Sequence, residues 1–174
     1  GTPGVAPRWA CQGCATSTRI LAPKTRYEEA VQMLAAVMKA TPYGDADDPT
    51  QIMGPLISKR QQQRVLDYIE IGKKEGARLV VGGGVPKGLE KGYWVEPTLF
   101  ADVNNDMRIA REEIFGPVLC VLPYEDEEDA IRIANDSPYG LSGAVMSSNV
   151  ERALNVARRV RTGTVTINGA SVAF

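Results

Sequence analysis

The sequence contains no histidine in 174 residues. Histidine is the commonest general base near neutral pH, the partner of serine or cysteine in hydrolytic triads and the commonest protein ligand of transition metals. Its absence excludes these arrangements, so any chemistry on this chain must be activated in another way. Cysteine is scarce as well. Cys11, Cys14 and Cys120 are too few for a disulfide-rich secreted domain, which favours a reducing, cytoplasmic setting.

Charge of one sign and long apolar runs are also lacking. Twenty Lys and Arg residues face 21 Asp and Glu residues, a formal net charge of −1, so no basic field predicts a nucleic-acid or membrane partner. The longest apolar runs, such as residues 118–122, are far shorter than the ~20 residues of a membrane span. No basic region precedes an apolar one, so we expect no secretory signal. With 44% apolar residues, the chain has enough material for one globular core.

What is present is an alternation of apolar runs and amphipathic segments. Several runs are apolar without alternation, which is typical of strands that are covered on both faces by helices. The repetition of strand, helix and strand predicts an α/β fold of three layers with a mainly parallel sheet. The predicted strands are residues 19–21, 78–81, 94–100, 118–122, 143–147 and 164–167.

Capping signals predict where four helices begin. A Ser or Thr followed three residues later by Glu or Gln is a capping box, and acidic residues or Asn suit a helix amino terminus. The four signals are Thr25 with Glu28, Ser58 with Gln61, the acidic run at residues 125–129, and Asn149.

The Cys11-Gln12-Gly13-Cys14 segment has several interpretations. A zinc site fails because no histidine and only one further cysteine remain as ligands. A redox-active Cys-x-x-Cys and a buried structural cysteine both stay open. The small neighbours of Cys14 suggest a turn that opens into a short helix. The backbone N–H groups of such a turn would favour the thiolate and later hold an oxyanion.

Six segments in a fixed order resemble one known family. They are residues 12–19 (QGCATSTR), 54–58 (GPLIS), 92–99 (GYWVEPTL), 112–118 (EEIFGPV), 135–141 (NDSPYGL) and 163–168 (GTVTIN). Together they resemble the NAD(P)-dependent aldehyde dehydrogenase superfamily, over about residues 12–172. The resemblance implies that family's catalytic-domain fold.

The resemblance also implies roles for three residues. Cys14 would attack the aldehyde carbonyl, so that a thiohemiacetal and then a thioester form on its sulfur, and its backbone N–H would supply one oxyanion donor. Glu113 would bind the nicotinamide-ribose hydroxyls of NAD or NADP. Phe115 would pack near the nicotinamide. From the residues alone, Glu113 also fits an exposed charge cluster and Phe115 fits the core.

Further implications concern the substrate and the assembly. Gly169, Ser171 and Val172 correspond to a family segment at the aldehyde entrance, so they are weak candidates for substrate contacts. The expected partner is a small aldehyde, and the full-length enzyme is expected to be a homo-oligomer. No metal site is expected.

The chain departs from the family pattern in two ways. Before Gln12 the family typically has Asn-x-Gly, whereas this chain has Trp9-Ala10-Cys11. We therefore assign residues 1–11 as an unmatched segment and residues 12–174 as the catalytic domain. Family members are more than twice as long, so we expect the dinucleotide-binding domain and the carboxyl-terminal oligomerisation segment to be absent. The isolated chain should then be inactive, with NAD(P) bound mainly by the absent domain.

Two alternatives from other classes remain at this point. The chain could be a non-catalytic α/β module for association between subunits or domains. It could also be a thiol-redox protein, in which Cys11 and Cys14 form a reversible disulfide.

Overall fold

The computed structural model describes residues 8–45, 47–89 and 91–172. A 3₁₀ helix at Arg8–Cys11 comes first, and a second at Lys24–Arg26 directly follows the first strand. The remaining elements are strands and helices in mixed order. They are β1 (Arg19–Pro23), α1 (Tyr27–Ala40), α2 (Lys59–Lys74), β2 (Arg78–Val81), β3 (Thr98–Ala101), α3 (Arg108–Arg111), β4 (Val118–Tyr124), α4 (Glu127–Asn135), β5 (Ser142–Val145), α5 (Val150–Ala157), β6 (Thr164–Ile167) and β7 (Ala170–Val172).

The strands form two sheets. One has the order β1-β4-β3-β2, in which β1, β4 and β3 are parallel and β2 is antiparallel to β3. The other has the order β5-β6-β7, in which β5 and β6 are parallel and β7 is antiparallel to β6. The prediction of an α/β fold with mainly parallel pairing is confirmed.

The central strand β4 explains why its sequence is apolar without alternation. Cys120 and Leu122 pack in one core cluster with Val65 and Ile69 of α2. Their neighbours Leu119 and Val121 pack in a second cluster, with residues of α1. Successive side chains of a strand point to opposite faces, so a strand covered by helices on both faces needs apolar residues at every position.

Two of the predicted helix starts are confirmed at the predicted cap, and the acidic run supplies a third. Ser58 and Asn149 accept hydrogen bonds from the backbone N–H groups of Gln61 and Arg152. Asp126 does the same for the third N–H group of α4, so one carboxylate of the acidic run is the cap.

The capping box at Thr25 is wrong. Thr25 lies inside the second 3₁₀ helix, and α1 begins at Tyr27 without a side-chain cap. Tyr27 instead reaches the sheet, where its hydroxyl donates to the carbonyl of Val121 at 2.9 Å and accepts from the N–H of Asp102 at 2.6 Å. A tertiary contact therefore fixes the start of α1.

Four predicted strands have other bounds in the structure: residues 19–21 extend to Pro23, 118–122 extend to Tyr124, 143–147 become Ser142–Val145 and 94–100 become Thr98–Ala101. The predicted strand at residues 94–100 begins only at Thr98, because Pro97 precedes it and has no N–H for a ladder. The short strand β7 was not predicted. None of the helices in the part of the chain that the structure describes has the length and apolarity needed to cross a bilayer.

Candidate active site

A cleft of about 660 Å³ brings the three main predicted site residues together. Its lining includes residues of β1 and of β5. Cys14, Glu113 and Phe115 all line it. These three residues come from segments about 100 positions apart in the sequence, so the fold and not local sequence assembles the cleft.

Cys14 is presented on a tight turn, residues 13–16, called here the Cys14 turn. The N–H of Thr16 donates to the carbonyl of Gly13 at 3.0 Å, and the Cys14 side chain is exposed. Residues 16–18 then lead straight into β1, so the predicted helix after Cys14 is wrong. Two further contacts hold the turn: Gln12 Oε1 accepts from the N–H of Ile57 at 3.0 Å, and Ser142 Oγ donates to the carbonyl of Ala15 at 2.8 Å.

Backbone strain lies directly before the Cys14 turn. Ala10 and Cys11 have φ angles of +53° and +54°, which is the left-handed region that favours glycine. Cys11 stands where the resemblance leads one to expect Gly, so the departure from the family pattern falls on a residue whose conformation suits glycine. A left-handed conformation costs a non-glycine residue about 1–2 kcal/mol.

The three cysteines differ sharply in their surroundings. Cys11 and Cys120 are buried, and burial raises the pKa of each thiol to about 12. Cys14 is exposed in the cleft. All three lie within the described residues, and no disulfide joins any two of them. Nucleophilic chemistry requires an accessible thiolate, so Cys14 is the candidate that the structure favours.

The segment of residues 112–116, called here the Glu113 loop, is held by one face of α2. Gln61 Nε2 donates to the carbonyls of Ile114 and Phe115 at 3.0 and 2.9 Å. Arg64 Nη2 donates to the carbonyl of Glu113 at 2.6 Å. Phe115 has a φ of +61°, so these bonds hold a backbone conformation that a bulky residue rarely adopts.

The loop also approaches the helix very closely. A Cβ on Gly116 would lie 2.4 Å from Cγ2 of Val65, a distance that real contacts do not show. Gly116 is therefore needed for close packing. Sequence reasoning missed this role of α2, although the spacing of residues 61, 64, 65 and 68 places them on one helix face.

The two neighbouring glutamates have different roles in the loop. The carboxylate of Glu112 accepts from Arg108 at 2.9 Å and from the hydroxyl of Tyr68, and these bonds lower its pKa to about 2. The side chain of Glu113 is exposed, and its carboxylate makes no hydrogen bond within the described part of the chain. Glu112 anchors the loop, whereas the Glu113 carboxylate stays available to a ligand.

Comparisons with known proteins identify the family of this chain. Residues 6–173 match the Aldehyde dehydrogenase family. The chain belongs to this family. It is 52% identical over 158 residues to geranial dehydrogenase of Castellaniella defragrans, covering 91% of this chain and 33% of that protein. It is 49% identical to 3-succinoylsemialdehyde-pyridine dehydrogenase of a Pseudomonas species, covering 94% of this chain and 34% of that protein.

Solved structures of aldehyde dehydrogenases also resemble this chain. The crystal structure of a Mycobacterium tuberculosis aldehyde dehydrogenase complexed with NAD⁺ superposes with a TM-score of 0.91 at 53% identity. The superposition covers 95% of this chain and 34% of that one. This aldehyde dehydrogenase chain therefore spans about a third of the length of the relatives it matches.

The weaker site candidates of this aldehyde dehydrogenase chain lie at its last strand. Gly169 is exposed, has a φ of +88° and forms the turn between β6 and β7. Ser171 and Val172 pair with Thr166 and Val165 in the second sheet, and their side chains lie outside the described part of the chain. Gly169 is not among the described residues that line the cleft, so the candidate aldehyde entrance stays a prediction.

Proposed function

We propose that this chain is the thiol-bearing catalytic domain of an NAD(P)-dependent aldehyde dehydrogenase, with Cys14 as its nucleophile. One observation carries the proposal: the exposed cysteine shares a cleft with Glu113 and Phe115. The relatives named above are dehydrogenases, which supports the reaction class.

The chemistry at Cys14 follows from its position. The thiol gives up its proton to water, a bond forms between sulfur and the aldehyde carbon, and the carbonyl π electrons move to oxygen. The backbone N–H of Cys14 has no acceptor within the described residues, so it is available to the resulting oxyanion. After hydride leaves the carbon, a thioester remains on Cys14. Water cleaves the thioester, and the products are a carboxylic acid and the free thiol.

The Glu113 loop fits the nicotinamide cofactor. The two carboxylate oxygens of Glu113 are acceptors that match the two hydroxyls of a ribose, and nothing described in the chain occupies them. Phe115 offers an apolar ring in the lining of the same cleft. When bound, NAD or NADP supplies the hydride acceptor.

The proposal extends to parts of the enzyme that this chain does not span. We expect residues 12–174 to form the catalytic domain and the dinucleotide to bind mainly outside them, so the isolated chain should not turn over an aldehyde. Gly169, Ser171 and Val172 stay candidates for contacts with a small aldehyde. We also expect a homo-oligomer in the cytoplasm, in keeping with three cysteines that form no disulfide and with exposed apolar side chains such as Leu141, which is 55% exposed.

The test uses the protein expressed from its complete reading frame. Cys14→Ser should lower aldehyde oxidation, followed by the absorbance of reduced nicotinamide, by at least about a thousandfold. The matched control is Cys120→Ala, which changes a buried thiol in β4 and should retain the activity. Full activity of Cys14→Ser would refute the proposal.

Thiol labelling separates the proposal from its alternatives. Brief alkylation of the 174-residue chain near neutral pH should modify Cys14 and leave Cys11 and Cys120 unmodified, because burial raises the pKa of both to about 12. Equal or absent labelling, measured by mass spectrometry, would favour an association module. A mass that changes on reduction of a Cys11–Cys14 disulfide would favour the redox protein.

A further inference from the structure

The carboxyl-terminal end of α4 and the residues after it, 133–139, are called here the α4 turn. Its Asp136 is bound from two sides. Arg111 Nη1 donates to the Asp136 side chain at 3.0 Å and to its carbonyl at 3.2 Å. Asn105 Nδ2 donates to the same carbonyl at 2.8 Å and to the side chain at 2.7 Å. Arg111 ends α3 and lies two residues before Glu113. By binding Arg111, Asp136 fixes the segment that leads into the Glu113 loop.

The α4 turn is also joined to the strand that follows Cys14. Arg19, the first residue of β1, donates to Asn105 Oδ1 at 2.7 Å. The same guanidinium reaches the carbonyls of Ile133 and Ala134 at 3.4 and 3.3 Å, which lie in the last turn of α4. A cation at a helix carboxyl terminus is favourable, and the planar guanidinium can serve several acceptors at once.

A third contact is made directly to the Glu113 backbone. The N–H of Glu113 donates to the hydroxyl of Tyr139 at 3.2 Å. The Tyr139 side chain lines the same cleft as Cys14 and is 54% exposed. The α4 turn thus contacts Arg111, directly before the Glu113 loop, the Glu113 amide within that loop, and Arg19 at the start of β1.

We propose that the α4 turn sets the position of Glu113 relative to Cys14, with Asp136 and Tyr139 as positioning residues. The inference rests on the proposed function, because it gives Glu113 the cofactor as its ligand. Neither residue needs to touch substrate or cofactor. Asp136 acts through Arg111 and Asn105, and Tyr139 acts through the amide of Glu113.

The principal test is Asp136→Ala in the protein expressed from its complete reading frame. The KM for NAD should rise about fivefold while kcat and the KM for the aldehyde change less than about twofold, because a displaced Glu113 weakens cofactor binding alone. Asp136→Asn keeps one of the two side-chain acceptor oxygens and should restore part of the loss. A merely structural role would lower the melting temperature without this selective rise in one KM.

The matched control is Asp106→Ala. The Asp106 side chain is 93% exposed and lies 4.0 Å from the same Arg111. The Asp106→Ala substitution therefore changes the charge beside Arg111 without breaking the contacts of Asp136. Equal values of the KM for NAD in Asp136→Ala and Asp106→Ala would overturn the proposal.

Tyr139→Phe keeps the proposal testable if Asp136→Ala does not fold. The change removes one hydroxyl from an exposed ring, so the KM for NAD should rise about threefold with an unchanged melting temperature. An unchanged KM would count against the proposal. Hydrogen exchange of the Glu113 amide in the 174-residue chain should also become faster, and this readout needs no catalysis.

The two proposals fail in different ways. Absence of aldehyde oxidation in the unaltered protein would reject the proposed function. Unchanged exchange at the Glu113 amide in Tyr139→Phe would reject the positioning role, whatever the enzyme activity.

Discussion

The Cys14 turn and the Glu113 loop both line one cleft, yet the protein holds them by different means. The Cys14 turn has one internal hydrogen bond and the contacts of Gln12 and Ser142, and left-handed backbone at Ala10 and Cys11 precedes it. The Glu113 loop is bound by side chains of α2, α3 and the α4 turn. In the proposed function Cys14 must approach a substrate carbon, whereas Glu113 must stay in register with a large bound cofactor. The denser set of bonds lies on the loop that carries Glu113.

Among the variants that test how the two segments are held, Gly116→Ala should have the largest effect on stability. Gly116→Ala places a methyl group 2.4 Å from Val65 Cγ2 and should lower the free energy of unfolding by about 3 kcal/mol, since a well-packed helix face cannot yield. Urea unfolding measures the loss. Gly84→Ala is the control, because a Cβ there meets its nearest atom, of Glu96, at 3.7 Å. Adding Val65→Ala should recover part of the loss, and a strictly additive double variant would contradict the clash.

A smaller effect is expected from Gln61→Ala. The carbonyls of Ile114 and Phe115 would both lose a donor, which should lower the free energy of unfolding by about 1–2 kcal/mol. Gln63→Ala on the same helix is the matched control, since Gln63 binds only the exposed Asp67 at 2.8 Å. Similar losses for both variants would show that α2 does not hold the Glu113 loop through Gln61.

The smallest effect on stability is expected at Cys11, before the Cys14 turn. Cys11→Gly removes a buried side chain but relieves a left-handed backbone, and the two contributions nearly cancel to within about 1 kcal/mol. Cys120→Gly, at the centre of β4, has no such relief and should lose more stability in the same urea experiment. A larger loss at Cys11 than at Cys120 would mean that strain at φ +54° contributes little here.

Local sequence patterns predicted the parts of the fold that depend on local physics. Strand β4 was visible as an apolar run because both of its faces are buried, and Ser58 and Asn149 were visible because a cap bonds within three residues. The prediction of a cap at Thr25 failed because tertiary contacts decide where α1 starts. The Tyr27 hydroxyl bonds to Asp102 and Val121, which lie 75 and 94 positions further along the chain. Strand β7 is too short to show a period.

In the candidate site, too, local sequence does not predict the contacts between distant segments. The resemblance placed Cys14, Glu113 and Phe115, and the fold brings all three to one cleft. Local sequence separates Glu112 from Glu113 only in part: Arg108 lies four residues before Glu112, but Tyr68, its other partner, is 44 residues away along the chain. The partners of the Glu113 loop in α2 and the α4 turn are 26 to 54 residues away along the chain, so no local signal identifies them.

The hydrogen bonds from α2 to the Glu113 loop have a consequence for which substitutions the loop can accept. Gln61 and Arg64 bind main-chain carbonyls at residues 113–115, and every amino acid carries that group. These three hydrogen bonds are thereby independent of the side chain at position 113, whereas Glu112 and Gly116 constrain the loop through their own contacts. A substitution at position 113 changes the group displayed in the cleft and leaves the bonds to α2 in place.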